Sequence, residues 1–160
     1  MTLPDNPDTV CFDANLYINF LNGAGPHLIV ESLLRHAEAG RLEIHVPTLC
    51  FLEVRGWPSG AYDDDRDREA LSLITRPYCI PVEFNLAVGR IGRDLLSKYP
   101  QLKNFDAGQI ASAAYAHSDV FLTSDRQLLS IGKYEGVQIA EPYLPAGLPP
   151  LIIQDQLDGL

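Results

Sequence analysis

The stretch Thr9-Val10-Cys11-Phe12, followed by Asp13, decides the fold class. It is a short apolar run without polar alternation, which is typical of a strand covered on both faces of a sheet. Further short runs predict strands at Glu43–Val46, Cys79–Val82, Val120–Thr123 and Gly136–Ala140.

The segments between these strands carry apolar residues at helical spacing. They predict helices over Asn15–Leu21, His27–Ala39, Pro47–Gly56, Asp64–Thr75, Phe84–Lys98, Asp106–His117 and Gln127–Ile131. Alternation of such strands and helices predicts an α/β fold, with a three-layer α/β/α sandwich around a central parallel β-sheet. We expect residues 1–141 to form this domain and residues 142–160 to form a proline-rich, then apolar, C-terminal tail that packs on it.

Composition narrows the class of protein. The chain has 160 residues, 46% of them hydrophobic, which suits one globular domain and excludes general disorder. Twelve Lys and Arg against 21 Asp and Glu give a net charge of −9. That charge weighs against general affinity for nucleic acid. It does not tell where on the surface the acids lie.

The cysteines and the first residues indicate the compartment. The number of cysteines is odd, none are in a CxxC pair, and each lies in or beside an apolar run, so we expect buried free thiols: Cys11, Cys50 and Cys79. The first ten residues lack a secretory signal, and no apolar run is long enough to span a membrane. We therefore expect a soluble, cytoplasmic protein without a membrane partner.

Two acids follow predicted strands directly. Asp13 follows the first strand, and Asp125 follows Val120–Thr123 after one intervening residue. In a parallel sheet both carboxylates lie at the carboxyl edge, where ligands of such folds collect. Each acid also suits the N-cap of the helix that follows it, so capping alone could account for either.

Two further acids lie in helical segments. Asp106 starts a predicted helix and, with Gln109, forms the pattern of a capping box. Glu53 lies in a segment that is apolar nearly all round, which indicates a buried helix. A buried carboxylate is costly without a cation or good donors, although an arginine could also satisfy it.

Four acids at one strand edge would repel each other unless a hard cation neutralised them. Oxygen-only ligation selects Mg²⁺ or Mn²⁺ over zinc, and the four histidines show no zinc-binding spacing. One or two such ions activate water and stabilise a phosphoryl transition state. The acids therefore predict metal-dependent hydrolysis of a phosphodiester.

Four segments, in order, resemble the PIN domain family, as in VapC-type toxin ribonucleases. They are Val10-Cys11-Phe12-Asp13-Ala14-Asn15, the Pro47-Thr48 segment that leads to Glu53, Asp106-Ala107-Gly108-Gln109-Ile110-Ala111, and Thr123-Ser124-Asp125-Arg126. The resemblance runs from about Thr9 to Ala140. The third segment departs from the family's pattern by a one-residue shift at Gly108.

The resemblance implies an endoribonuclease that is the toxin of a type II toxin–antitoxin pair. By position, the metal-binding and catalytic acids would be Asp13, Glu53, Asp106 and Asp125, with Mg²⁺ or Mn²⁺ as cofactor. Thr123, and less directly Asn15, would position water or a carboxylate. Single-stranded or structured RNA would be the substrate, and an antitoxin protein and a second copy of the chain would be the partners.

A rim of basic residues is the best candidate for contact with RNA, although such a pattern more often belongs to a solvated helix face. Its members are Arg90, Arg93, Lys98, Lys103 and Arg126. Tyr17 and Tyr62 are the aromatic side chains that we consider for stacking against RNA bases.

Two alternatives remain. A PIN-like binding module without activity would keep the fold and lose the metal. A receiver-type phosphoacceptor domain also clusters acids at strand ends, but it has paired acids after the first strand, and Asp13 has no acidic neighbour.

Overall fold

The protein is described by a computed structural model over residues 2–57 and 60–151. The strands in this part of the chain are β1 (Thr9–Phe12), β2 (Glu43–Pro47), β3 (Cys79–Val82), β4 (Val120–Leu122), β5 (Lys133–Tyr134) and β6 (Val137–Ala140). The helices are α1 (Ala14–Leu21), α2 (His27–Glu38), α3 (Cys50–Glu53), α4 (Asp64–Ile74), α5 (Leu86–Lys98), α6 (Asn104–Tyr115) and α7 (Arg126–Leu129).

The strands form one sheet in the order β3-β2-β1-β4-β6-β5. All neighbours pair in parallel except β5, which is antiparallel to β6. In the centre, Val10 lies opposite Ile44 on one side and Val120 on the other, so β1 and β4 end at the same edge. The parallel sheet predicted from the sequence is confirmed, with one antiparallel strand added at its margin.

Alternate side chains of the central strands pack into two separate hydrophobic cores, one on each face of the sheet. Val10 and Phe12 pack with α1, α2 and α4, whereas Cys11 and Phe121 pack with α5 and α6 on the opposite face. This is the period of two that a strand imposes on its side chains. Helices therefore cover both faces, and the predicted three-layer α/β/α sandwich is confirmed.

Two predictions about elements are wrong. The helix predicted over Pro47–Gly56 is only the single turn of α3, because the backbone leaves the helical region at Val54 (φ −83°, ψ 82°). Strand β5 lies in a segment where the sequence predicts neither a strand nor a helix. The three cysteines are buried and free, as expected.

The described part of the tail, residues 142–151, packs on the domain. The Tyr143 hydroxyl donates to the carbonyl of Pro4 at 2.9 Å, and the Leu151 N–H donates to Ser32 Oγ at 3.0 Å. Leu148 is buried in the core on the α2 side of the sheet. The rest of the predicted tail, residues 152–160, lies outside the described residues. No helix in the described ranges is long and apolar enough to cross a membrane.

Candidate active site

Asp13 lies directly beyond β1, at the carboxyl edge of the sheet. It is the N-cap of α1, where its carboxylate faces the N–H of Asn15 at 3.5 Å. Its own N–H donates to the carbonyl of Leu122 at 2.9 Å, which ties it to the end of β4. The side chain is only 2% exposed. The capping interpretation therefore holds for Asp13, and it leaves the carboxylate inside the edge of the sheet.

Thr123 joins the acids that follow β1 and β4. Its hydroxyl donates to Asp13 Oδ2 at 2.7 Å and accepts the N–H of Asp125 at 3.0 Å. Asp125 caps α7, accepting the N–H of Gln127 at 2.7 Å. Because Thr123 is fully buried, this connection between Asp13 and Asp125 is shielded from water.

Asp106 lies in the first turn of α6. The N-cap is Lys103, so the predicted capping box with Gln109 is wrong. Asp106 is half-buried, and its carboxylate accepts no hydrogen bond from the side chains and backbone of the described ranges. The favourable field of the helix N-terminus acts on its charge, but its carboxylate does not cap the helix.

Glu53 reaches the site from the short helix α3. The apolar pattern of its segment predicts a helix buried all round, and this prediction is wrong: Leu52 is 60% exposed and Phe51 40% exposed. Glu53 itself is half-buried, and its Oε2 accepts a hydrogen bond from the side chain of Gln109.

Gln109 is the residue of this site that sequence reasoning missed. It is 1% exposed, and its Oε1 accepts the N–H of Ala14 at 3.0 Å while its Nε2 donates to Glu53. It was interpreted as half of a capping box. A buried amide on the apolar face of an Ala-rich helix was the feature that could have revealed it.

The acids influence each other electrostatically. Burial raises the pKa of Asp13, and the charge of Asp125 raises it further, against the lowering effect of the Thr123 hydroxyl. Burial, then the charges of Asp13 and Asp125, raise the pKa of Asp106. Burial, then Asp13 and Asp106, raise the pKa of Glu53 to about 7. The structure thus brings the four acids within range of mutual repulsion, which a bound cation would relieve.

The chemistry of these side chains fits Mg²⁺ or Mn²⁺. All four offer only oxygen, and Mg²⁺ is usually held by one or two carboxylates with water completing its coordination. Within residues 2–57 and 60–151, no group of three or more His, Cys, Asp or Glu side chains is already arranged to hold a metal ion. The fit therefore rests on donor type and on the raised pKa values.

The residues considered for RNA contact are distributed unevenly. Lys103 and Arg126 are exposed and directly adjoin the elements that carry Asp106 and Asp125. Lys98 instead pairs with Asp94 at 2.9 Å. Tyr17 is fully buried and cannot stack on a base, so that prediction is wrong, whereas Tyr62 is 57% exposed.

The remaining members of the predicted basic rim lie on α5. Arg90 and Arg93 are both exposed, and Arg93 lines a groove shared with Asn104 and Gly108 of α6. Arg93 is therefore beside the first turns of the helix that carries Asp106.

The protein is thus of the α/β class, with a mostly parallel sheet and a group of acids near its carboxyl edge. The chain belongs to the PIN domain family, a family of nucleases, because the family model of the PIN domain matches residues 10–134. No curated protein matches the chain.

Solved structures show the same fold. VapBC2 from Rickettsia felis, bound to a DNA fragment of its promoter, has a TM-score of 0.63 at 12% identity and covers 82% of this chain and 96% of its own. VapC20 of Mycobacterium tuberculosis, a toxin that cleaves the sarcin–ricin loop, has a TM-score of 0.60 at 8% identity over 79% and 97%. DNA-bound VapBC from Salmonella typhimurium has a TM-score of 0.60 at 15% identity over 88% and 98%.

Proposed function

We propose that this protein is a Mg²⁺- or Mn²⁺-dependent endoribonuclease and the toxin of a type II toxin–antitoxin pair. The observation that carries the proposal is the cluster of four acids at one sheet edge, where burial and mutual repulsion raise the pKa of Asp13, Glu53 and Asp106. Membership of a nuclease family supports the reaction class. The nature of the structural neighbours supports the toxin assignment.

Asp13, Asp106 and Asp125 would hold the ion, with Glu53 as a further ligand or as the group that orients water. When bound, a divalent ion offsets the carboxylate charge, lowers the pKa of water and stabilises the charge that develops on a phosphodiester. Thr123 holds the carboxylate of Asp13 and the backbone of Asp125 in place. The helix caps at Asp13 and Asp125 join each carboxylate to the first turn of the helix that follows its strand.

The substrate would be RNA, single-stranded or structured, contacted close to the acids. Lys103 and Arg126 are exposed and close in sequence to Asp106 and Asp125, so they can pair with phosphates of a bound strand. The RNA-cleaving neighbour VapC20 supports RNA as the substrate class. Binding outside this small basic rim would be weak, because the chain carries a net charge of −9.

The protein partners would be an antitoxin and a second copy of the chain. Solved neighbours include toxin–antitoxin complexes. Several apolar side chains on or beside α3, α5 and α6 are exposed. They support the proposal that a protein partner covers this surface. They are Phe51, Leu52, Phe84, Leu86 and Phe105.

The test is cleavage of a labelled RNA by purified wild type and by Asp106→Asn, with and without Mn²⁺. The carboxylate of Asp106 accepts no hydrogen bond from the described residues. Its replacement by Asn therefore removes the charge and leaves the hydrogen bonds of the other site residues in place. We expect Mn²⁺-dependent cleavage by wild type and none by Asp106→Asn. Asp65→Asn is the matched control, because that side chain is 92% exposed on α4, and it should cleave like wild type.

Cleavage by Asp106→Asn at the wild-type rate would contradict the proposed mechanism. A wild type that binds no Mn²⁺ and cleaves no RNA would instead favour a PIN-like binding module without activity.

A further inference from the structure

Gln109 connects two parts of the candidate site that are far apart in sequence. Its side-chain amide lies on α6, accepts the N–H of Ala14 at 3.0 Å and donates to Glu53 Oε2. These partners are 95 and 56 positions away along the chain. The bridge thus runs from the residue next to Asp13 to the carboxylate of Glu53.

The orientation of the Gln109 amide is fixed by its first partner. The N–H of Ala14 belongs to the first turn of α1, where backbone N–H groups have no acceptor within the helix. An N–H can only donate, so the amide oxygen of Gln109 must face it. The amide NH₂ group is left to face Glu53, whose carboxylate oxygen is the matching acceptor.

Little else holds Glu53. Helix α3 has four residues, its N-cap Leu49 makes no side-chain hydrogen bond, and the chain leaves the helix at Val54. Only Cys50 of this helix is buried. Apart from the Gln109 bond, Glu53 accepts no side-chain hydrogen bond from the described residues, so its second oxygen is available for an ion or a water molecule.

We propose that Gln109 is a positioning residue. It holds one carboxylate oxygen of Glu53, so that the second oxygen faces the carboxylates of Asp13 and Asp106. The inference rests on the proposed metal-dependent nuclease. Removal of a group that orients a metal-binding side chain lowers metal affinity or activity by about 10–100-fold.

The experiment compares wild type, Gln109→Met, Glu53→Gln, the double variant and Ser112→Ala. Met keeps the length of Gln109 and removes both hydrogen bonds. Ser112→Ala is the matched control, because Ser112 is buried on the same helix and its hydroxyl bonds only to the carbonyl of Gly108. Three quantities are measured: Mn²⁺ affinity by calorimetry without RNA, and then kcat and KM for cleavage of a labelled RNA.

We expect Gln109→Met to lower Mn²⁺ affinity or kcat by about 10–100-fold with KM for RNA unchanged. The double variant should lose no more than Glu53→Gln alone, since Gln109 acts through Glu53. Ser112→Ala should match wild type. Unchanged affinity and kcat in Gln109→Met, or losses that multiply in the double variant, would overturn the inference.

If Gln109→Met fails to fold, Gln109→Glu takes its place. It keeps an acceptor for the Ala14 N–H and replaces the donor that faces Glu53, so the same loss of affinity or kcat is expected, and wild-type values would overturn the inference. A wild type that neither binds Mn²⁺ nor cleaves RNA would contradict the proposed function and remove the inference with it. A wild type that binds Mn²⁺, beside Gln109 variants that behave normally, would contradict the inference alone.

Discussion

The Thr123 hydroxyl is bonded on both sides, donating to Asp13 Oδ2 at 2.7 Å and accepting the N–H of Asp125 at 3.0 Å. The bond to Asp13 favours the ionised carboxylate and so opposes the effect of burial on its pKa. One small side chain therefore favours the charged form of Asp13 and also bonds to the backbone N–H of Asp125.

Replacing Thr123 by Val keeps its shape and removes both bonds. Asp13 would lose a donor and the Asp125 N–H would lose its acceptor in a fully buried place. We expect the free energy of unfolding, measured by urea denaturation, to fall by about 1–3 kcal/mol. Thr75→Val is the control, because Thr75 is exposed and bonds only to the carbonyl of Leu71, and its effect should stay within about 0.5 kcal/mol. Equal losses in both variants would contradict this role.

Sequence reasoning could locate some residues of the candidate site and not others. Asp13 and Asp125 follow from strand ends, since a parallel sheet brings such ends to one edge. Glu53 was chosen for a burial that its helix does not have. The sequence marks Gln109 only as an amide on an Ala-rich helix, because its two partners, Ala14 and Glu53, come near it only in the folded chain.

At the scale of elements, α3 and the segment after it depend on Gly56. A Cβ added at Gly56 would lie 2.2 Å from the carbonyl carbon of Arg66 and 2.4 Å from the N of Asp67. The backbone at Gly56 therefore packs in close contact with the backbone of the first turn of α4. The amphipathic pattern that predicted a longer helix could not reveal this contact, because it involves backbone and not apolar side chains.

Gly56→Ala should push the segment off α4. Such overpacking costs about 1–3 kcal/mol of unfolding free energy, measured by urea denaturation. Gly89→Ala is the control, since its nearest neighbour is Phe84 at 3.8 Å and it lies within α5. There alanine should stabilise by up to about 1 kcal/mol, because glycine is the poorer helix former. A Gly56→Ala protein as stable as wild type would show that the contact is relaxed in solution.

The strands were predicted more accurately than the helix ends. Thr9–Phe12 and Cys79–Val82 match β1 and β3 residue for residue, because short apolar runs between turns specify buried strands. Strand β5 has two residues and no such run. It pairs with β6 through a turn in which Glu135 and Gly136 both have positive φ, a backbone geometry that periodicity does not encode.

At the scale of the whole molecule, the chain closes on itself through the tail. Leu148 is 5% exposed within the core, so we expect Leu148→Ala to lower the free energy of unfolding by about 2–5 kcal/mol in urea denaturation. Leu144→Ala, at a 40% exposed position of the same segment, should cost far less. Similar small losses in both would support an independent domain that ends at residue 141.

Eight of the 21 acids of the chain belong to two clusters of four. One is the candidate metal site, and the other is the start of α4, where Asp63 caps the helix and Asp64 pairs with Arg68. Asp65 and Asp67 follow in its first turn, where the helix N-terminus favours negative charge. The net charge of −9 is thus compatible with local binding of RNA at the candidate metal site.

These two acidic clusters allow a direct test of the central claim, that the sheet-edge acids form a divalent-cation site. The measurement is the anomalous scattering of Mn²⁺ in crystals of the full chain. We expect manganese bound by Asp13, Asp106 and Asp125, and its loss from crystals of Asp106→Asn. Manganese bound only at the start of α4, or at neither cluster, would contradict it.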